Sequence, residues 1–147
     1  MPHHTEYEPL WNAAPSSGTR KSGIMQKPIR VLIVDDQPRA RRSLEALLST
    51  WHRALEIREA SDGREALHLT QEFRPNIVLM DVRMPQLDGL EATAQIKAIW
   101  PWVKVIVLSM YPEHRDEALA SGADTFLAKG DAPDALLGVL GAILGEV

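Results

Sequence analysis

Five polar residues stand directly after short apolar runs, where they could do chemistry together. Asp35 and Asp36 follow VLIV, Asp81 follows IVLM, Ser109 follows VIVL and Lys129 follows TFLA. If these runs are parallel strands, their carboxyl ends meet at one edge of the sheet, where ligands bind in such folds. Three carboxylates that close cannot all stay ionised without a cation. Oxygen ligands without histidine or cysteine favour magnesium, so we expect a magnesium site at this edge.

Four of the five residues also have an ordinary structural explanation. The pair Asp35-Asp36 could be simply a helix cap ahead of Pro38, Asp81 could cap a turn, and Lys129 could be a surface charge. Taken together, these separate explanations are less convincing than one shared site, because chance would not place five polar groups at the same end of four different strands.

The elements that must position these residues are predicted by two alternating apolar periods. Short β-branched runs predict five buried strands, at 30–34, 55–59, 76–80, 104–108 and 125–128. Helical spacing predicts five helices, at about 38–51, 64–73, 90–99, 113–121 and 133–144. Pro38 suits a first turn, Asp62 an N-cap and Gly122 a C-cap.

Alternation of this kind predicts an α/β fold. Right-handed (βα)5 crossovers place helices on both faces of a doubly wound parallel sheet. The 147 residues suit one domain with a tail, and no apolar run approaches the ~20 residues of a membrane span. The chain has no cysteine, which excludes disulfides, thiolate zinc sites and cysteine nucleophiles, and its net charge of −4 offers no basic surface for nucleic acid.

Residues 1–28 differ in composition from the rest. They contain four of the ten prolines and no apolar period, so we expect a disordered N-terminal extension before an ordered domain at 29–147. The extension lacks the pattern of a secretory signal. Met25 is an alternative start.

Four motifs show a family resemblance over 29–147. They are VLIVDD (31–36), IVLMDVRMPQLDG (77–89), VLSM (107–110) and GADTFLAKG (122–130). With them the chain resembles the receiver domain of two-component response regulators. The resemblance implies a flavodoxin-like sheet with strand order 2-1-3-4-5, and a cytoplasmic signalling switch rather than an enzyme.

The resemblance assigns roles to the acidic residues. Asp81 is then the phosphoacceptor, a carboxylate nucleophile that takes a phosphoryl group from the phosphohistidine of a sensor histidine kinase or a phosphotransfer protein. Asp36 and Asp81 are direct Mg²⁺ ligands, Asp35 acts mostly through water, and the backbone carbonyl of Arg83 is a further ligand. Such transfer needs positioning and charge neutralisation more than acid–base catalysis.

Other roles follow from the same resemblance. Lys129 pairs with one phosphoryl oxygen, and the Ser109 hydroxyl moves to hydrogen-bond another. Phe126 occupies the position of an aromatic ring that turns inward behind Ser109, with ordinary core packing as the alternative. Arg83 and Tyr111 flank the path of the water that removes the phosphoryl group. Since neither orients water as a carboxylate or amide does, we expect a long phosphoryl lifetime.

The apolar residues of the predicted fifth helix indicate a surface that contacts a partner. These residues cover an arc of about 160°, wider than one sheet face requires. They are Leu136, Leu137, Val139, Leu140, Ile143 and Leu144. All of this surface could simply pack against the core of the protein. Alternatively, together with helix four and strand five, it forms a homodimer or meets an output domain.

The residue after Lys129 departs from the family pattern. Gly130 stands where a proline is common, and a non-proline residue there is typical of receivers joined to helix-turn-helix output domains. We therefore expect a part in transcription control through an output domain outside this chain, with no direct nucleic-acid binding by the chain itself.

Other functions remain as alternatives. A stand-alone or phosphorylation-independent receiver would act as a protein-interaction module. A magnesium-dependent phosphatase needs a general acid two residues after its nucleophile, where this chain has Arg83. A flavin or nucleotide module needs a phosphate-binding loop after strand one, where Asp35 and Asp36 would repel phosphate.

Overall fold

The computed structural model describes residues 27–131 and 133–145 as five strands that alternate with five helices. The strands are β1 (Ile29–Val34), β2 (Leu55–Ala60), β3 (Ile77–Asp81), β4 (Lys104–Ser109) and β5 (Thr125–Ala128). The helices are α1 (Pro38–Leu48), α2 (Gly63–Phe73), α3 (Gly89–Ile99), α4 (Arg115–Ala120) and α5 (Pro133–Ile143). A 3-10 turn, Pro112–His114, precedes α4.

The strands form one parallel sheet in the order β2-β1-β3-β4-β5. The predicted fold class and strand order are therefore confirmed. Because β1 pairs with both β2 and β3, the strand order reverses between β1 and β3. That reversal opens a crevice at the carboxyl ends of these strands, which is where ligands bind in open α/β sheets.

Alternate residues of the strands face two apolar layers. On one face, Val31 and Ile33 pack with Leu48 of α1 and with Leu136 and Leu140 of α5. The other face packs against α2, α3 and α4, and its residues include Leu32, Val34, Met80, Ile96 and Ala118. Both faces of the central strands are buried beneath helices, which explains why these strands are nearly continuous apolar runs in the sequence.

The helix ends follow the local chemistry of the sequence. The Asp62 carboxylate accepts a hydrogen bond from the Glu65 backbone N–H over 2.8 Å, as its predicted N-cap role requires. Asp88 caps α3 in the same way. Gly122 follows α4 with a φ of 107°, a left-handed conformation that favours glycine.

Two predicted helices differ in detail from the structure. The predicted first helix ends too late, because α1 ends at Leu48 and leaves Trp51 in the following turns. The predicted fourth helix, 113–121, is divided into the 3-10 turn and the six-residue α4. Pro112 stands at the start of this turn, and the His114 N–H donates to the Tyr111 carbonyl in a tighter i→i+3 pattern.

The apolar arc of α5 lies closer to the core than its sequence pattern suggests. Leu136 and Leu140 are buried, and the other four members of the arc are half-buried against the same layer. In the described residues the large apolar side chains that are clearly exposed are Ile99, Met110, Tyr111 and Leu119, with Met110 at 65%. Exposed apolar surface is therefore concentrated around the β4–α4 loop and α4 rather than on α5.

The predicted disordered extension lies almost wholly outside the described residues, as does Met25. Within the described part of the chain, every helix is too short or too polar to cross a membrane.

Candidate functional site

Three carboxylates meet at the carboxyl edge of the sheet. Asp35 and Asp36 follow β1, and Asp81 ends β3, the strand that pairs beside it. One oxygen from each lies within 4.8 Å of the others. Asp35 is 1% exposed, and the other two are partly exposed. The structure therefore brings the predicted acidic residues together.

Lys129 joins this group from the far side of the sheet. Its Nζ lies 2.8 Å from Asp35 Oδ2 and 3.0 Å from Asp81 Oδ1. The Lys129 backbone N–H donates to the Ser109 carbonyl over 2.7 Å, which fixes the start of the loop after β5 beside the end of β4. The ammonium thus bridges two carboxylates that come from different strands.

The charges of the group shift two pKa values. Burial raises the pKa of Asp81, the neighbouring Asp35 raises it further, and the hydrogen bond from Lys129 opposes the shift without cancelling it. Burial alone would lower the pKa of Lys129, but its hydrogen bonds to Asp35 and Asp81, together with the attraction of their charges, outweigh burial and raise it. Lys129 is therefore held in its charged form.

The donor set fits Mg²⁺. All three acidic groups supply hard carboxylate oxygens, and one ammonium against three carboxylates leaves two negative charges, which one divalent cation neutralises. The partial exposure of Asp36 and Asp81 leaves room for the waters that Mg²⁺ keeps. The residues present therefore suit the predicted magnesium ion.

Backbone contacts hold Asp35 in place. Its Oδ1 accepts the Gln37 N–H over 2.9 Å, and its carbonyl accepts Arg41 Nη1 over 2.6 Å. Arg41 is itself held by Glu59 at the end of β2. These contacts orient the buried carboxylate toward Lys129.

Gly89 lies at the start of α3, directly against the backbone of Asp81. A Cβ built on Gly89 would lie 1.7 Å from the Asp81 carbonyl oxygen, and the Gly89 N–H donates to the Val82 carbonyl over 2.8 Å. Its φ is not in the left-handed region. The start of α3 therefore packs directly on the backbone of Asp81, which only a residue without a side chain permits.

Ser109 lies at the end of β4, but its hydroxyl contacts the following loop. The side chain is 2% exposed. Its Oγ accepts the Tyr111 backbone N–H over 3.0 Å and lies 2.7 Å from His114 Nδ1. His114 was not singled out from the sequence, because no strand end or motif marks it and its contact depends on the 3-10 turn.

The remaining predicted residues are placed as follows. Phe126 on β5 is 6% exposed and packs in the apolar layer of α2, α3 and α4, so its ring already lies inward in this structure. The Arg83 guanidinium lies 4.3 Å from the centre of the Tyr111 ring, a cation–π contact. These two residues, predicted to flank the same path, therefore touch each other.

A doubly wound sheet with three carboxylates and a bridging lysine at its strand-order reversal defines the receiver class of signalling domain. The family model for the response regulator receiver domain matches residues 31–140. The chain belongs to this family, and the resemblance read from its motifs is confirmed.

Relatives and solved structures agree with this assignment. The chain is 38% identical over 104 residues to the response regulator protein VraR of Staphylococcus saprophyticus, an alignment that covers 69% of this chain and 50% of that protein. The chain thus spans about half the length of the curated relatives it matches.

Two solved structures of LuxR-family response regulators are also similar. One, from Aurantimonas sp. SI85-9A1, has a TM-score of 0.74 at 27% identity, covering 82% of this chain and 88% of that one. The other, a DNA-binding response regulator from Staphylococcus aureus, has a TM-score of 0.71 at 26% identity, covering 78% and 98%.

Proposed function

We propose that this receiver accepts a phosphoryl group on Asp81 from the phosphohistidine of a sensor histidine kinase or phosphotransfer protein. The observation that carries the proposal is the position of Lys129, whose Nζ bridges Asp35 and Asp81 at 2.8 and 3.0 Å. An ammonium held there neutralises charge that develops on an incoming phosphoryl group beside the Asp81 carboxylate.

In the proposed step an Asp81 carboxylate oxygen attacks phosphorus. The new P–O bond forms as the P–N bond to the donor histidine breaks, and the bonding electrons leave with the imidazole. Water later cleaves the acyl phosphate, which restores the carboxylate and releases inorganic phosphate. Lys129 and the Ser109 hydroxyl hold phosphoryl oxygens in this scheme.

Magnesium would be held by Asp36, Asp81 and the Arg83 carbonyl, with Asp35 acting mostly through water. When bound, Mg²⁺ supplies positive charge to the phosphoryl oxygens. The three carboxylates within 4.8 Å support this assignment.

A groove beside the site suits the proposed donor. A cavity of about 330 Å³ between α1 and α5 is lined by apolar residues that include Leu44, Leu47 and Leu136, and it extends to Asp35 and Lys129. A helical domain that carries the phosphohistidine could place its apolar side here and its imidazole at Asp81.

We further propose that the phosphorylated receiver controls transcription in the cytoplasm through an output domain of a longer protein. Support comes from the DNA-binding LuxR-family regulator of Staphylococcus aureus, whose solved chain resembles this one. Ser109 and Phe126 would carry the change to the partner surface.

Mass spectrometry after incubation with acetyl phosphate and Mg²⁺ tests the proposed chemistry. The wild type should gain about 80 Da, one phosphoryl group, and Asp81→Asn should gain none while it remains folded. Asp134→Asn, at an exposed aspartate on α5, should behave as the wild type does. A retained mass gain in Asp81→Asn would show that another residue is the acceptor, and no gain in the wild type would favour a phosphorylation-independent receiver.

Titration with Mg²⁺ tests the metal assignment separately. Asp36→Ala should weaken binding at least tenfold, because a site with few protein ligands loses one of them. Glu45→Gln, at an exposed carboxylate on α1, should bind as the wild type does. Equal affinities for all three proteins would contradict the assignment.

A further inference from the structure

The Ser109 hydroxyl is turned away from the carboxylate group. Its two hydrogen-bond contacts, the Tyr111 N–H and His114 Nδ1, both lie on the segment after β4. Within the described residues, Oγ makes no hydrogen bond to Asp81 or Lys129. To reach a phosphoryl group on Asp81, the hydroxyl must therefore leave His114.

The hydrogen-bond inventory fixes the direction of the contact with His114. A serine hydroxyl has one hydrogen to donate and two lone pairs to offer. The Tyr111 N–H occupies one lone pair, and among the described residues His114 Nδ1 is the one partner of Oγ able to accept the hydrogen. Leaving the hydrogen of a buried hydroxyl without a partner is costly. His114 Nδ1 is therefore the acceptor, and Nε2 carries the imidazole hydrogen.

We propose that His114 is a positioning residue that competes with the phosphoryl group for the single hydrogen of Ser109. This inference rests on the proposed function, in which Ser109 donates to a phosphoryl oxygen. Since one hydrogen cannot serve both acceptors, phosphorylation releases His114, and His114 in turn opposes phosphorylation.

The contacts of His114 connect its hydrogen bond with Ser109 to the protein surface. Its ring meets the Tyr111 ring edge-on, with the ring centres 5.4 Å apart, and the Arg83 guanidinium also contacts the Tyr111 ring. Tyr111 and Met110 are exposed. Release of His114 therefore loosens the 3-10 turn next to an exposed apolar surface. In this way phosphorylation of Asp81 changes the protein surface outside the site.

Beryllofluoride with Mg²⁺, titrated while ¹H–¹⁵N spectra are recorded, measures this competition. His114→Phe keeps a ring against Tyr111 but has no acceptor for the Ser109 hydrogen. Half-saturation should therefore occur at a beryllofluoride concentration about three- to tenfold lower than in the wild type, the effect of removing one competing hydrogen bond. His114→Ala should shift in the same direction. An unchanged or higher half-saturation in both variants would overturn the proposal.

Two further variants separate positioning from a general structural effect. His114→Asn retains an acceptor near the position of Nδ1 and should restore half-saturation to within about twofold of the wild type. In a Ser109→Ala background, adding His114→Phe should change nothing, because there is no hydroxyl to release. A tightening that persists without the Ser109 hydroxyl would refute competition for its hydrogen.

A histidine elsewhere provides the matched control. His68→Phe, on the exposed side of α2 next to Glu72, should bind beryllofluoride as the wild type does. Failure of the wild type to bind would refute the proposed function itself, whereas wild-type binding with an unaltered His114→Phe titration would refute only the role of His114.

Discussion

At the scale of single residues, the site is a balance between one ammonium and three carboxylates. Lys129 occupies the space between Asp35 and Asp81, and a cation that enters must share these carboxylates with it. The same side chain therefore stabilises the metal-free site and competes with the metal.

This competition predicts an unusual response to Lys129→Met. Magnesium affinity should rise about tenfold, or by roughly 1.4 kcal/mol, while phosphorylation by acetyl phosphate slows at least tenfold. Lys97→Met removes another partly buried ammonium, one that pairs with Asp124 away from the site, and should leave magnesium affinity unchanged. Calorimetric titration checks the first effect, and unaltered affinity in Lys129→Met would contradict it.

The Arg83–Tyr111 contact predicts a slow loss of the phosphoryl group. The guanidinium lies 4.3 Å from the centre of the ring, and under the proposed function neither side chain offers a carboxylate or amide to orient an attacking water. The double variant Arg83→Asn, Tyr111→Glu should shorten the lifetime at least fivefold, as followed by the decay of phosphorylated mass. Arg64→Asn, on exposed α2, should decay as the wild type does. An equal or slower decay in the double variant would count against this role.

The acidic group and Lys129 were predictable from the sequence, whereas His114 was not. The carboxyl ends of parallel strands lie at the same edge of the sheet. Recognising the apolar strands was therefore enough to predict that Asp35, Asp81 and Lys129 lie close together. His114 reaches Ser109 only through the 3-10 turn, and turn geometry is not determined by apolar period. The close contact of Gly89 with Asp81 likewise required coordinates.

At the scale of elements, the start of α3 supports the backbone of Asp81. Gly89→Ala would place a Cβ 1.7 Å from the Asp81 carbonyl oxygen, so the strand end or the helix must shift. We expect a loss of about 1–3 kcal/mol in the free energy of unfolding together with impaired phosphorylation.

Gly138 on α5 is the matched control for this change. A Cβ there has nothing within 4 Å, so Gly138→Ala should stabilise the protein by about 0.5–1 kcal/mol through helix propensity. Urea unfolding compares the two variants. Equal stabilities would show that α3 can move freely away from Asp81.

The elements also show where apolar periodicity is informative. All five strands and helices α2, α3 and α5 lie within a few residues of their predicted bounds. The fourth helix was predicted as one element over 113–121, but Pro112 and the i→i+3 bond from the His114 N–H to the Tyr111 carbonyl set a separate 3-10 turn before α4. Local backbone geometry, which apolar spacing does not report, sets this boundary.

At the scale of the whole molecule, the exposed apolar surface predicts self-association. Met110 and Leu119 lie exposed near α4, and half-buried Leu137 lies on α5. Exposed apolar side chains grouped in one region commonly mark a contact. We expect weak dimerisation through α4, β5 and α5 that strengthens when beryllofluoride and Mg²⁺ are added.

Light scattering across a concentration series measures this association. Leu137→Glu should weaken the dimer without unfolding the protein, whereas Leu69→Glu, at a half-buried leucine of α2 on the other face, should not affect it. A monomer at high concentration in both conditions would exclude dimerisation through this surface.

The salt bridge between Lys129 and Asp35 joins positions 94 residues apart in the chain. A ribosome therefore completes the acidic residues long before it adds the lysine, and β1, β2 and β3 can pair while the last strand is still unmade. Under the proposed function, a nascent or prematurely terminated chain that stops before Lys129 carries an acceptor without the ammonium that the transfer uses. We therefore expect such a chain to be phosphorylated more slowly than a finished one.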